Sequence, residues 1–98
     1  MTLKELAQLE GRVYVHISTG ELGRRFMEQA ERDGFTFQDG VSPTKREAAE
    51  IMALNPDMTL NYVGAVDRMA FGAAAVVGEK HLIRVKYSES GSGMIITP

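Results

Sequence analysis

The stretch that decides the fold is "RVYVHISTGELGRRFMEQAERDGFTF", residues 12–37. Its first seven residues alternate polar with apolar or β-branched side chains, a pattern typical of a half-buried strand. A helix is predicted over 19–33, because Leu22 begins an apolar repeat of four and Gly34 stands where a glycine cap ends a helix. The closing "FTF" predicts a second strand. The stretch therefore indicates a β-α-β unit, with a right-handed crossover if the two strands are parallel.

Two capping boxes are predicted from the spacing of hydroxyl and carboxylate side chains. Thr2 and Glu5 match the Thr-x-x-Glu pattern and predict a short helix over 3–10. Ser18 and Glu21 match the same pattern at the start of the longer helix.

A further helix is predicted over 44–54, in "TKREAAEIMAL". Ser42 would cap it with Pro43 at the first helical position, or Thr44 would cap it with Glu47 completing a box.

The second half of the chain predicts strands at 58–63 and 81–87, and a short strand at 68–71 followed by a loop. "SESGSG" has the composition of a linker. The sequence therefore predicts one domain over 1–88 and a linker-like tail over 89–98. The apolar "MIITP" in this tail leaves three alternatives open: an added edge strand, a segment docking on a neighbouring chain, or a remnant of expression.

These elements predict a single α+β domain with a mixed, mostly antiparallel sheet of four or five strands. Two helices would cover one face, and the short N-terminal helix would pack at an edge. The predicted core consists of Val13, Val15, Ile17, Leu22, Phe26, Ala30, Phe35, Phe37, Ile51, Leu60, Tyr62, Ile83 and Val85.

Composition narrows the chemistry open to this chain. It has 98 residues, no cysteine and a formal net charge of −2. Without cysteine, zinc ribbons, iron–sulfur clusters and thiolate nucleophiles are excluded. The histidines show no H-x-x-x-H or H-E-x-x-H spacing. We therefore expect no metal, no cofactor and no catalytic residues.

The sequence also predicts no membrane contact. No apolar run approaches the roughly 20 residues that cross a bilayer. The N-terminal residues lack the apolar run of a signal peptide, so the cytoplasm is the expected location.

The connection that follows the second strand is one candidate binding site. Ser42 and Thr44 stand at a predicted helix N-terminus beside Lys45 and Arg46, and free backbone N–H groups with adjacent cations can bind an anion. The alternative is that these residues only cap the helix.

The outward face of the sheet is a second candidate. If the strands at 12–18 and 81–87 are neighbours, Arg12, Tyr14, His16, Arg84 and Lys86 share one surface. A basic, aromatic sheet face can bind single-stranded RNA. The negative net charge speaks against nucleic acid as a partner.

A small nucleotide-handling or hydrolytic enzyme is a further alternative. It would combine the loop from Asp39 to Arg46 with His16 or His81. Neither the Walker A nor the dinucleotide-binding glycine pattern occurs in the chain, however.

Residues 26–71 carry a resemblance in "AERDGFTFQDGVSPT", "IMALNPDMTLNYVGAV" and "MAFG". These pieces resemble small uncharacterised proteins of bacteriophages and integrative elements of Gram-positive gut bacteria. The resemblance implies service to a mobile element, in some cases by blocking host defence through a bound protein or signalling nucleotide. It carries over no catalytic residue.

Together these observations predict a non-enzymatic binding module. Its partner is expected to be another protein or a second copy of itself as a homodimer, with a small anionic ligand as the alternative. A small sheet with a free edge must be paired, covered or charged, which favours the homodimer.

Overall fold

Strand β1 (Arg12–His16) forms where its alternating sequence predicts a strand, and it lies in the interior of the sheet with a neighbouring strand on each side. The computed structural model describes residues 2–64, 76–77, 80–88 and 93–97. The elements run in the order α1 (Leu3–Ala7), β1 (Arg12–His16), α2 (Gly20–Arg32), β2 (Thr36–Phe37), a 3₁₀ turn (Pro43–Lys45), β3 (Ile51–Leu54), β4 (Thr59–Tyr62), β5 (Val76–Val77), β6 (Lys80–Tyr87) and β7 (Gly93–Thr97).

The described strands form one mixed sheet in the order β2-β4-β3-β1-β6-β5, and β7 also pairs with β6. The β1–β6 and β2–β4 pairs are parallel, and the other four pairs are antiparallel. Strands β1 and β2 run in the same direction with β3 and β4 between them, so α2 is the crossover of a split β-α-β unit. The predicted α+β class and mostly antiparallel sheet are confirmed.

Helix α2 forms where its apolar repeat predicts it. The cap is Thr19 rather than the predicted Ser18: the Thr19 side chain accepts a hydrogen bond from the Leu22 N–H at 3.1 Å. At the other end Gly34 has φ +93°, and the Phe35 N–H donates to the Ala30 carbonyl at 2.9 Å. A glycine with positive φ followed by this backbone hydrogen bond is the helix ending that the sequence predicts.

Helix α1 is shorter than predicted, but its capping box is confirmed. The Glu5 N–H donates to the Thr2 hydroxyl, and the Thr2 N–H donates to the Glu5 carboxylate. Hydrogen bonds from the Thr2 backbone N–H and, next, from the Thr2 side chain to the Glu5 carboxylate hold the pKa of Glu5 below its usual value. Leu3 and Leu6 are fully buried against the sheet and α2, which stabilises a helix too short to persist alone.

Buried side chains lie on both faces of the sheet. The larger cluster packs α1 and α2 against one face, and a smaller cluster on the other face joins Tyr14, Ala53 and Leu82. The alternation of 81–87 predicts Leu82 on the outward face with Arg84 and Lys86, but Leu82 is buried. The other correction is Tyr62, which was predicted in the core and is 46% exposed. Ile83 is half-buried, and the remaining predicted core residues are buried.

The helix predicted over 44–54 is wrong. Residues 43–45 form one 3₁₀ turn, and Ile51–Leu54 form strand β3 between β1 and β4. All four residues of β3 are buried, because the strand has protein on both faces. The apolar run at 51–54 does not alternate, and such a run is compatible with either a buried strand or a buried helix. The strong helix formers at 45–50 favoured the helix, which was the wrong prediction.

A polar network closes the hairpin between β3 and β4. The buried Asn55 side chain accepts from the Arg12 guanidinium at 2.5 Å and donates to the Thr59 hydroxyl at 3.1 Å and the Asn61 side-chain oxygen at 2.8 Å. Met58 completes the turn with φ +66°, a conformation uncommon outside glycine. The network ties the turn to the first residue of β1.

Three predictions concern the C-terminal half and the membrane. The strand proposed at 68–71 lies outside the described residues. Of the three alternatives for the C-terminal residues, the structure shows an edge strand: Gly93–Thr97 pair with Arg84–Tyr87. Among the described residues, none of the helices has the length and apolar composition needed to cross a bilayer.

Candidate functional site

Two surface depressions adjoin each other at Arg46, near the β2 edge of the sheet. One, the α2 groove, lies between α2 and residues 44–48 and has a volume of about 780 Å³. The other, the aromatic depression, lies over β2 and β4 and measures about 300 Å³. Arg46 lines both, so the two form a continuous surface, which we call the Arg46 surface.

The aromatic depression is built around a stack of three side chains. The Arg46 guanidinium carbon lies 4.6 Å from the centre of the Phe37 ring. The Tyr62 ring lies against the same phenylalanine, with 5.4 Å between ring centres. The Tyr62 hydroxyl donates to the Glu47 carbonyl at 2.7 Å. Tyr62 is therefore both exposed and held in one orientation.

Asp39 fixes the position of Arg46. The two guanidinium nitrogens of Arg46 donate to the two carboxylate oxygens of Asp39, at 2.6 and 3.3 Å. Gly40, with φ +85°, makes the tight turn after β2, and the Val41 N–H donates to Asp39 at 3.2 Å. The Arg46 hydrogen bond, followed by the Val41 one, holds the pKa of Asp39 below its usual value.

The α2 groove is lined by small residues and by charged residues. Gly20 has open space where a side chain would begin, and a Cβ on Gly23 would lie 3.1 Å from that of Ala48. Glycine at 23 therefore allows residues 44–48 to approach α2 closely. The charged residues that line the groove are Glu21, Arg24, Glu28, Arg46 and Glu47.

The residues predicted to bind an anion lie together here, but most of their donors have partners within the chain. Thr44 donates from both its N–H and its hydroxyl to Glu31, at 3.3 and 2.6 Å. Arg46 is paired with Asp39. Ser42 makes no cap bond to the 3₁₀ turn, and Lys45 is exposed.

The second candidate set also shares a surface. Parallel pairing of β1 with β6 brings Arg12, Tyr14 and His16 next to Leu82, Arg84 and Lys86 in register. Tyr14 is 1% exposed, and its ring lies under the Arg12 guanidinium at 5.5 Å. A buried ring cannot stack on a base, so this face lacks the aromatic contact that the RNA hypothesis needs.

The histidines lie apart from the Arg46 surface. The His16 Nε2 atom is 3.5 Å from a Glu50 carboxylate oxygen, and His81 is exposed at the start of β6. Neither is among the described residues that line the two depressions. In the described part of the chain, no three His, Asp or Glu side chains are grouped so that they could hold a metal ion.

Sequence reasoning missed the contribution of Phe37 and Tyr62, which it assigned to the core. The available signal was the position of Tyr62 at the end of a strand near the edge of the sheet. Alternation alone could not show that this end is open to solvent.

The comparisons with known proteins add no relative: no protein-family model, curated protein or solved structure matches this chain.

Proposed function

We propose that this protein is a non-enzymatic binding module that holds a partner protein against the Arg46 surface. The observation that carries the proposal is Tyr62, which is 46% exposed and is the one exposed large hydrophobic side chain among residues 2–64 and 80–88. Its ring and its hydroxyl are both held in place. An exposed aromatic ring that is already ordered loses little conformational freedom on binding.

The neighbours of Tyr62 also support a protein interface. Tyrosine and arginine are enriched among the residues that dominate binding energy at protein interfaces. Asp39 holds Arg46 over the Phe37 ring, so the packing surface of Arg46 is fixed before a partner arrives. The adjoining α2 groove supplies a concave surface next to this stack.

A phosphate ligand is less well supported at the same place. Glu31 and Asp39 already accept the hydrogen bonds that Thr44 and Arg46 would give to a phosphate. An incoming anion would have to displace two carboxylates or approach them against like-charge repulsion. A protein is therefore the favoured partner of this surface, and a nucleotide is the alternative.

The resemblance of residues 26–71 to mobile-element proteins supports a biological setting. In that setting the module would bind and block a host protein, for example a protein of a defence system against phages. The Arg46 surface falls largely within these residues.

The experiment is site-specific photo-crosslinking in cells of the bacterium that carries the gene. A photoreactive residue replaces Gln38, which is exposed and lines the aromatic depression. Glu10, exposed and outside both depressions, serves as the control position. We expect a crosslinked protein from position 38 and none from position 10.

Binding of the purified partner is then measured by calorimetry. Tyr62→Ala should weaken binding by about thirtyfold, equivalent to the loss of about 2 kcal/mol that defines a dominant interface residue. Glu10→Ala should bind as the unaltered protein does. Equal affinity for Tyr62→Ala would contradict the proposal.

The two alternative ligands, a nucleotide and RNA, are tested by separate measurements. If a nucleotide raises the melting temperature and Lys45→Ala/Arg46→Ala removes the effect, the site is a nucleotide site instead. If RNA binds with a steep salt dependence that Arg84→Ala reduces, the sheet face is the functional surface.

A further inference from the structure

Strand β7 is an edge strand of the described sheet, and the two-residue strand β5 also pairs with β6 at this end of the sheet. It pairs antiparallel with β6, Tyr87 opposite Gly93 and Val85 opposite Ile95. No other described strand pairs with β7. Its outer side therefore presents backbone N–H and C=O groups that no described strand satisfies, and such an edge can pair with another strand.

The two edges of the sheet differ in length and sequence. Strand β2, at the opposite edge, has two residues and is followed directly by the Asp39–Gly40 turn. Strand β7 has five residues, and its sequence "GMIIT" contains neither a charged residue nor proline. Natural proteins protect edges with short strands, charges or proline, so β2 carries such protection and β7 does not.

We propose that β7 pairs antiparallel with β7 of a second copy, so that the two sheets join into one. Antiparallel pairing of two identical strands places the same residues on both sides of a two-fold axis, which is the contact that closes a dimer without further growth. A second copy fits this edge because β7 is uncharged, so like charges do not oppose each other across the pair. Ile95, Ile96 and Thr97 are of residue types that are enriched in strands.

Dimerisation through β7 is separate from the proposed function, but it would bring two binding surfaces together in one particle. In the sheet order, β7 lies beyond β6, whereas the aromatic depression of the Arg46 surface lies at β2 and β4. Pairing through β7 therefore leaves the aromatic depression of each copy open. The dimer would present two copies of the same surface, and a partner with repeated sites would gain avidity from both.

The first test is the mass of the full chain in solution, by light scattering at increasing concentration. We expect a species with twice the 10.8 kDa of one chain. Met94→Lys/Ile96→Lys should be monomeric, because lysines on both copies then meet across the strand pair. Mixing it with Met94→Glu/Ile96→Glu should restore a mixed dimer. Gln38→Lys, near the β2 edge, is the matched control and should remain dimeric.

The second test does not depend on how well the charged variants fold. The chain has no cysteine, so single cysteines can be introduced without background. Cysteines placed one at a time from Met94 to Thr97 should give an oxidised dimer at the position nearest the two-fold axis, and Gln38→Cys should give none. A protein that stays monomeric at every concentration, or a dimer that crosslinks at position 38 and not in β7, would overturn the proposal.

Discussion

Replacing the buried Asn55 with alanine should destabilise the fold more than replacing an exposed polar residue such as Gln38. Asn55 is 7% exposed, and its side chain makes hydrogen bonds to Arg12, Thr59 and Asn61. The bond from the charged Arg12 contributes about 1.5–3 kcal/mol, and each neutral bond contributes about 0.5–1.5 kcal/mol. All three partners are half-buried, so water recovers part of what they lose. We expect Asn55→Ala to lower the free energy of unfolding by about 2–3 kcal/mol.

The assay is urea unfolding followed by circular dichroism, with the midpoint and slope fitted together. A loss of this size in a chain of 98 residues corresponds to a fall of about 10–20 °C in Tm. Gln38→Ala is the control: its side chain is exposed, and we expect a change within about 0.5 kcal/mol. If the double variant Arg12→Met/Asn55→Ala loses as much as the two single changes added together, Arg12 and Asn55 are not coupled. If Asn55→Ala is as stable as Gln38→Ala, the network does not hold the turn, and the reasoning is refuted.

Two other predictions concern the core and the Arg46 surface. Phe26 is fully buried, and its ring meets that of Tyr87 edge-on with 5.4 Å between ring centres. Phe26→Ala should therefore lower the free energy of unfolding, measured in urea, by about 3–5 kcal/mol, and Phe26→Leu should lower it distinctly less. Equal losses for the two variants would argue against tight packing around this ring. The pKa of Asp39 is lower in the folded protein than in the unfolded chain, chiefly because of Arg46. The stability from this carboxylate is therefore present above the unfolded pKa of about 3.9 and lost as the pH falls through the folded value. The difference in urea midpoint between the unaltered protein and Asp39→Asn should shrink towards acid pH, and a difference that stays constant with pH would contradict this.

The elements that could be predicted from the sequence are those whose own residues carry the information. Strand β1 alternates, α2 repeats every four residues, and Gly34 ends the helix in a conformation that glycine adopts freely. The capping box of α1 likewise needs no contact outside its own turn. The strands at 12–16 and 80–87 are neighbours, which meets the condition on which the sheet-face hypothesis depended.

The elements that were predicted wrongly depend on distant partners. Residues 51–54 have neighbours in β1 and β4 that offer backbone hydrogen bonds and burial on both faces. The hydrogen bonds and burial that β3 gains between β1 and β4 outweigh the helix preference of "KREAAE" at 45–50, because that preference influences only neighbouring residues. The candidate site shows the same division. Its residues at 42–46 were recognisable, but their pairing with Glu31 and Asp39 follows from how the chain returns to α2 and β2.

By itself, the sequence determined the β-α-β beginning of this protein, its α+β class and the chemistry that it cannot perform without cysteine. Those properties follow from residue type and short-range spacing. Tertiary structure alone decided that 51–54 is a strand, that Leu82 is buried and that Tyr62 is exposed. Burial depends on which surfaces meet when the whole chain is folded, and that is a property of the complete arrangement rather than of any one segment.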